Sequence, residues 1–263
     1  MTPNPHREAG AQGLRHIVAL SGGKDSTAMA LRLAEVEPRD YTFVCTPTGD
    51  EPEEMFAHWR KLGELLGKPI LPIMAGTLDG LIRQQRALPN HRQRWCTRKL
   101  KLEPYYEWLA QQTPCVSYVG LRADEESRPG MIFPDADGIQ MRFPMREWGW
   151  ELADVHAYLD RRGITIPKRT DCKKCFWQTL AEWYLLWRDD RPSYIEAEGL
   201  EHFVTAERGD VRTFRSPQRD TWPASLRDMR LRFEAGDIPQ RSLNIMAKRD
   251  EQRRVGSCRV CTL

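Results

Sequence analysis

The sequence predicts an α/β fold, a parallel sheet flanked by helices, on three observations. Short apolar runs of strand length alternate with longer amphipathic stretches over the first half of the chain. The first apolar run ends in a double-glycine turn that leads into a helix pattern. No apolar run is long enough to cross a membrane, so the strands and helices must pack on one another in water.

The elements follow in order. Arg15 to Leu20 reads as a buried strand centred on Ile17-Val18-Ala19-Leu20, followed by a glycine turn at Ser21 to Lys24. A helix is predicted from about Asp25 to Val36, with Ala28, Leu31, Leu33 and Ala34 toward the core. Tyr41 to Cys45 is a second strand. Glu53 to Leu66 is a second helix, introduced by Pro52 and closed by Gly67. Pro69 to Met74 is a third strand, Pro104 opens a further helix, and Cys115 to Val119 is a strand that ends at Gly120. After about Phe143 the pattern changes. Glu151 to Arg162 and Gln178 to Arg188 read as helices, and the stripe Leu180, Trp183, Tyr184 and Trp187 reads as core packing. The last sixty or so residues are charged, with weaker periodicity. The expected organisation is a flexible tail over residues 1–14, a nucleotide-binding domain over 15–145 and a helical region over 146–263.

Composition narrows the function classes. Hydrophobic residues are 40% and charged residues 29% of the 263, the balance of a globular protein. The N-terminus lacks the apolar stretch of a secretory signal, so a cytoplasmic location is expected, with no membrane partner. The net charge of +3 is small, but Gly80 to Leu102 carries Arg83, Arg86, Arg92, Arg94, Arg98, Lys99 and Lys101 and no acid. Such a block either binds phosphate or forms a solvated surface.

The loop Ser21-Gly22-Gly23-Lys24-Asp25-Ser26 carries the clearest chemistry. Adjacent glycines let backbone N–H groups face an anion, and the helix that follows points its positive end there. Lys24 adds a mobile charge, and Ser21 and Ser26 add hydroxyls. This is not a Walker A loop: Val18 stands where that motif has its first glycine, and Asp25 where it has Ser or Thr.

Leu20 to Ser26 resembles the PP-loop of the ATP pyrophosphatases, and the wider chain resembles the phosphoadenosine-phosphosulfate reductase-like branch of that superfamily. Four further stretches carry the resemblance: Thr48-Gly49-Asp50-Glu51-Pro52-Glu53, Cys96-Thr97-Arg98-Lys99-Leu100-Lys101-Leu102-Glu103-Pro104, Gly120-Leu121-Arg122-Ala123-Asp124-Glu125 with Arg128, and Phe143-Pro144 through Leu159. The resemblance implies an adenine nucleotide α-hydrolase-like fold that binds ATP or a related adenine nucleotide at the loop. It makes Gly120 and Arg122 binding candidates and Lys24 and Asp25 catalytic ones. Arg122 also has a chemical reason, since a guanidinium pairs bidentately with phosphate; a surface salt bridge to Asp124 or Glu125 is the alternative. Asp50 and Glu51 either hold Mg²⁺ or form an acidic cluster at a helix N-terminus.

Cys172-Lys173-Lys174-Cys175 and Cys258-Arg259-Val260-Cys261 share one spacing and together offer a four-cysteine metal site. The resemblance favours a 4Fe–4S cluster over Zn²⁺. Cys96 lies beside Arg94, Arg98 and Lys99, a setting that lowers a thiol pKa; persulfide carrier, cluster ligand, nucleophile and inert buried thiol all remain open. Cys45 and Cys115 read as core. Three functions fit: an ATP-dependent sulfur transferase with a nucleic-acid acceptor and a cysteine desulfurase or other sulfur donor, a sulfonucleotide reductase, and a non-catalytic module that binds nucleotide and zinc. The intact loop favours the first.

Overall fold

A computed structural model of the protein describes residues 13–125, 138–216 and 220–252. The expected tail over residues 1–14, apart from its last two residues, lies outside them, as do Arg128, Cys258 and Cys261. The described elements are β1 (Arg15–Ala19), α1 (Lys24–Val36), β2 (Tyr41–Cys45), α2 (Glu53–Leu66), β3 (Ile70–Pro72), α3 (Leu78–Gln85), α4 (Trp95–Thr97), a π-helical turn (Arg98–Leu102), α5 (Glu103–Ala110), β4 (Cys115–Tyr118), β5 (Ile139–Arg142), α6 (Pro144–Glu147), α7 (Leu152–Arg161), α8 (Leu180–Asp189), α9 (Arg191–Arg208), α10 (Leu226–Glu234) and α11 (Gln240–Gln252).

The five strands form one sheet in the order β3-β2-β1-β4-β5, and every pairing is parallel. The expected α/β class is the class observed. Strand alternation separates two faces. On one, Val18, Leu20, Phe43 and Tyr118 meet Met29, Ala30 and Leu33 of α1, Leu62 of α2, and Val155, Tyr158 and Leu159 of α7. On the other, Ile17, Val44, Cys115 and Ile139 meet Tyr105 and Leu109 of α5. Cys45 and Cys115 are buried, as expected of core thiols. Successive strands run outward from β1 through β2 to β3, and the chain then returns to place β4 on the other side of β1. In open α/β sheets ligands bind beyond the carboxyl ends of the strands at such a reversal.

A second core lies beside the sheet. It joins Leu78 and Ile82 of α3, Cys96, Leu100 and Phe176 to Leu180 and Trp183 of α8, Tyr194 and Leu200 of α9, and Leu226, Met229 and Phe233 of α10. The aromatic stripe of α8 is core, with Tyr184 and Trp187 half-buried at its margin. The two cores do not follow one cut in the chain: α7 packs on the sheet, while α3 and the Cys96 segment join the helical core. Glu201 of α9 is buried in that core and ties down the segment around α10. One carboxylate oxygen accepts from the Phe214 N–H at 2.8 Å and the other from the Leu226 N–H at 2.7 Å. Two backbone donors that burial would otherwise strand are thereby satisfied.

Helix α9 went unread in the sequence because its amphipathic signal is diluted by charge. Its start is marked all the same: the Asp190 side chain accepts from the Ser193 N–H at 3.2 Å, and Pro192 stands in the first turn. The third strand is shorter than expected, Ile70–Pro72, because it lies at the sheet edge with Leu71 exposed.

Candidate nucleotide site

The phosphate loop sits at the sheet reversal. Gly22 adopts φ +84, and a Cβ there would fall 2.6 Å from Nε1 of Trp59 and 2.7 Å from Met55. Glycine is therefore required both for the conformation and for the approach of α2. Helix α2 supports the loop from beneath: Trp59 Nε1 donates to the Ser21 carbonyl at 3.3 Å, and the buried His58 ring bonds the Gly22 backbone and approaches Thr27 Oγ1 at 3.5 Å. Burial lowers the His58 pKa to about 4, so its ring is neutral at pH 7.

Within the loop, Ser21 Oγ and Ser26 Oγ share a hydrogen bond of 2.9 Å, the Gly23 N–H donates to Ser21 Oγ at 3.3 Å, and Ser26 Oγ donates to the Gly23 carbonyl at 3.2 Å. Gly23 is the N-cap of α1 and no side chain caps that end. The first-turn amides therefore have no side-chain cap and the helix dipole stands behind them, the arrangement that binds anions. Lys24 is buried and its Nζ lies 3.1 Å from Asp25 Oδ2.

The loop after β4 closes over this turn. A Cβ on Gly120 would lie 3.1 Å from Cα and N of Ser26 and 3.2 Å from the Asp25 carbonyl carbon, all backbone atoms. Gly120 is thus a packing requirement that brings Arg122 to the loop. Arg122 Nη1 donates to both Asp25 carboxylate oxygens, at 3.0 and 3.1 Å, and Nε donates to Asp124 at 2.8 Å. The surface pair expected with Asp124 is present, yet the guanidinium is largely buried and also reaches Asp25.

His156 of α7 enters the same field. Burial first, then the Lys24 ammonium, lowers its pKa, with Asp25 opposing and Arg122 adding to the fall. Sequence reasoning found no partner for any histidine, because His156 lies far along the chain and reaches the loop only through packing of α7 on α1.

Asp50 and Glu51 part company. Asp50 is fully engaged by Lys174, whose N–H donates to Oδ2 at 2.8 Å and whose Nζ lies 2.8 Å from Oδ1. The same ammonium lies 3.0 Å from Asp79 and 3.1 Å from Glu196. Burial raises Asp50 to about 6 even with Lys174 beside it, while Lys174 is raised because the carboxylates outweigh its own burial. Glu51 Oε1 accepts from the Thr48 N–H at 2.7 Å and Oγ1 at 2.8 Å, leaving Oε2 buried without a partner. Of the two carboxylates, only Glu51 keeps an oxygen for a cation.

The structure also joins thiols that the sequence kept apart. Cys96, Cys172 and Cys175 line one small cavity together with Thr48, Lys101 and Lys174. Burial first, then Cys172, raises Cys96 to about 11. Burial in the second core outweighs the lowering by the basic neighbour Lys101, and Arg98 pairs with Glu103 at 3.2 Å. Among the described residues, no three His, Cys, Asp or Glu side chains converge as ligands of a single ion. The acid-free basic block is likewise answered in space: Arg86 pairs with Glu207 at 3.2 Å and Arg83 lies over the Phe203 ring at 5.1 Å.

The model of the phosphoadenosine phosphosulfate reductase domain matches residues 15–169, more than half of the chain. The chain belongs to that family. Its PP-loop, β4 loop and α7 all fall within the matched span. A crystal structure of phosphoadenylyl-sulfate (PAPS) reductase from Candida auris, in a phosphate complex, is similar over 59% of this chain and 75% of that one, with 14% identity and a TM-score of 0.46. No curated protein matches the sequence. Among the described residues, no helix is long and apolar enough to cross a membrane.

Lys174 binds the Cys172–Cys175 turn to the loop after β2, to α3 and to α9, so removing its charge strands a buried carboxylate. Lys174→Met is expected to cost about 3–5 kcal/mol in denaturant unfolding, and adding Asp50→Asn should recover a large part of that loss. An unchanged unfolding midpoint in Lys174→Met contradicts the buried pairing.

Proposed function

We propose that this member of the PAPS reductase domain family binds ATP at the PP-loop and uses it to activate an acceptor for sulfur transfer. An acceptor oxygen attacks the α-phosphorus and pyrophosphate leaves; a sulfur nucleophile then displaces AMP, which carries that oxygen away. The observation that supports this reading most is the intact loop, with first-turn amides that no side chain caps and Lys24 held beside Asp25. Charge that grows on the leaving pyrophosphate would meet preorganised donors there. Glu51, with its free buried oxygen, is the protein ligand for Mg²⁺ in this scheme. The acceptor class is nucleic acid, met by the exposed Arg92 and its neighbours, and the sulfur source is a cysteine desulfurase or an equivalent donor.

The thiol cavity fits an iron–sulfur group in donor chemistry. Cys96, Cys172 and Cys175 would supply three thiolates, Lys101 offsets negative charge, and Cys258 and Cys261, outside the described residues, are candidates for the fourth. Such a group, when bound, would supply electrons or a site for sulfide. The matched family favours a second reading, sulfonucleotide reduction, in which a cysteine thiolate attacks the sulfur of adenylyl sulfate or PAPS.

One assay separates the two. Wild type is given ATP with tRNA or DNA as acceptor, and in parallel PAPS with a thiol reductant, and released pyrophosphate and sulfite are measured. The proposal predicts pyrophosphate release from ATP, reduced by about 10²–10³ in Lys24→Ala. Sulfite from PAPS without pyrophosphate from ATP would establish the reductase instead. For the cofactor, anaerobically purified Cys96→Ser and Cys172→Ser should hold less iron than wild type, and Cys115→Ser should hold as much. Full iron content in Cys96→Ser removes that thiol from the ligand set.

A further inference from the structure

We infer that Arg122 is a positioning residue for Asp25 and not a direct ligand of phosphate. This rests on the reading of Ser21–Ser26 as a phosphate loop. The guanidinium is already committed through Nη1 and Nε, with Nη2 more loosely held. Nη1 serves both oxygens of Asp25 at 3.0 and 3.1 Å, Nε serves Asp124 at 2.8 Å, and Nη2 lies 3.5 Å from Asp124 and 3.7 Å from Glu125. Its side chain is only 11% exposed. Its backbone is fixed as well: the Arg122 N–H donates to Glu125 Oε2 at 3.2 Å, while Arg146 donates from Nε to the Arg122 carbonyl at 3.5 Å and from Nη2 to the Glu125 carbonyl at 2.9 Å. A phosphate could take Nη1 or Nε only by displacing a carboxylate from a geometry that backbone and side chain both hold.

The charges give the arrangement a purpose. Asp25 lies in the first turn of α1, where its carboxylate would repel an incoming polyphosphate if left alone. Lys24 and Arg122 flank it and offset that charge, and Arg122 fixes its direction through two hydrogen bonds from a single nitrogen. The anion then meets the backbone amides, the hydroxyls and Lys24, while Asp25 stays aligned at the edge of the loop. The close approach of Gly120 to Ser26 and Asp25 makes this possible, because it sets the β4 loop directly on the helix turn that bears the carboxylate.

The two roles differ in a rescue experiment. Inorganic pyrophosphate and ATP are titrated calorimetrically into the full-length chain as wild type, Arg122→Gln, Asp25→Asn and the double variant, with thermal unfolding run on each. Arg122→Gln should weaken pyrophosphate binding roughly tenfold, the effect of about one charged hydrogen bond, because it leaves Asp25 uncompensated. In the double variant the affinity should return to within about threefold of Asp25→Asn alone, since the charge that needed Arg122 is gone. A double variant more than about threefold weaker than Asp25→Asn overturns the inference and makes Arg122 a phosphate contact in its own right. Should a Gln variant fail to fold, Arg122→Met in the wild-type and Asp25→Asn backgrounds removes the same charge and gives the same comparison. Wild type that binds neither pyrophosphate nor ATP refutes the phosphate-loop reading itself, a result visible at the first titration.

Discussion

The backbone of Gly120 lies so close to the first turn of α1 that a Cβ on it would stand 3.1 Å from Cα and N of Ser26. That contact is the constraint on which the nucleotide site depends. It exists because β4 lies beside β1, on the side opposite β2, so the loops leaving β1 and β4 meet at the same edge of the sheet. Move them apart by the thickness of a methyl group and Arg122 loses Asp25. The helix dipole and the open amides would remain, but the carboxylate beside them would lose its strongest partner. Helix α2 performs the matching task from the other side, where Trp59, Met55 and His58 support Gly22 and Thr27.

A second anchor joins this edge to the helical core. Lys174 stands between the two cysteines of the Cys172–Cys175 turn, and its ammonium is shared by Asp50 after β2, Asp79 of α3 and Glu196 of α9. Four distant segments therefore meet at one buried charge. Such a cluster contributes more to fixing geometry than to net stability, because the burial of Lys174 and Asp50 offsets much of their attraction. Its consequence for function is that the thiol cavity and the β2 loop are held as one unit: Thr48, whose hydroxyl and N–H bind Glu51, also lines the cavity of Cys96, Cys172 and Cys175.

Much of this was legible in the sequence, for stated reasons. The strands and first helices could be read because apolar periodicity and glycine or proline punctuation coincide there, and the loop could be read because its residues are contiguous. What failed to show was anything made by packing between distant segments. Arg122 was visible as a candidate, but its engagement with Asp25 depends on strand order. Cys96 looked like an activated thiol among cations, whereas the fold buries it and pairs Arg98 with Glu103. The Arg83 to Lys101 block looked uncompensated because its acids and aromatic partners come largely from α9 and α5. His156 gave no signal because a lone histidine in a helix pattern carries none.

The central claim is that the uncapped amides of the α1 first turn are where an anionic nucleotide binds. Amide chemical shifts of ¹⁵N-labelled protein during a titration with pyrophosphate test it most directly. The account predicts that Gly22, Gly23, Lys24 and Ser26 shift most and saturate together, with Gly120 and Arg122 following at the same midpoint. Saturating shifts confined to the Arg92 to Lys99 segment, with the loop amides unmoved, would place the anion elsewhere and contradict it.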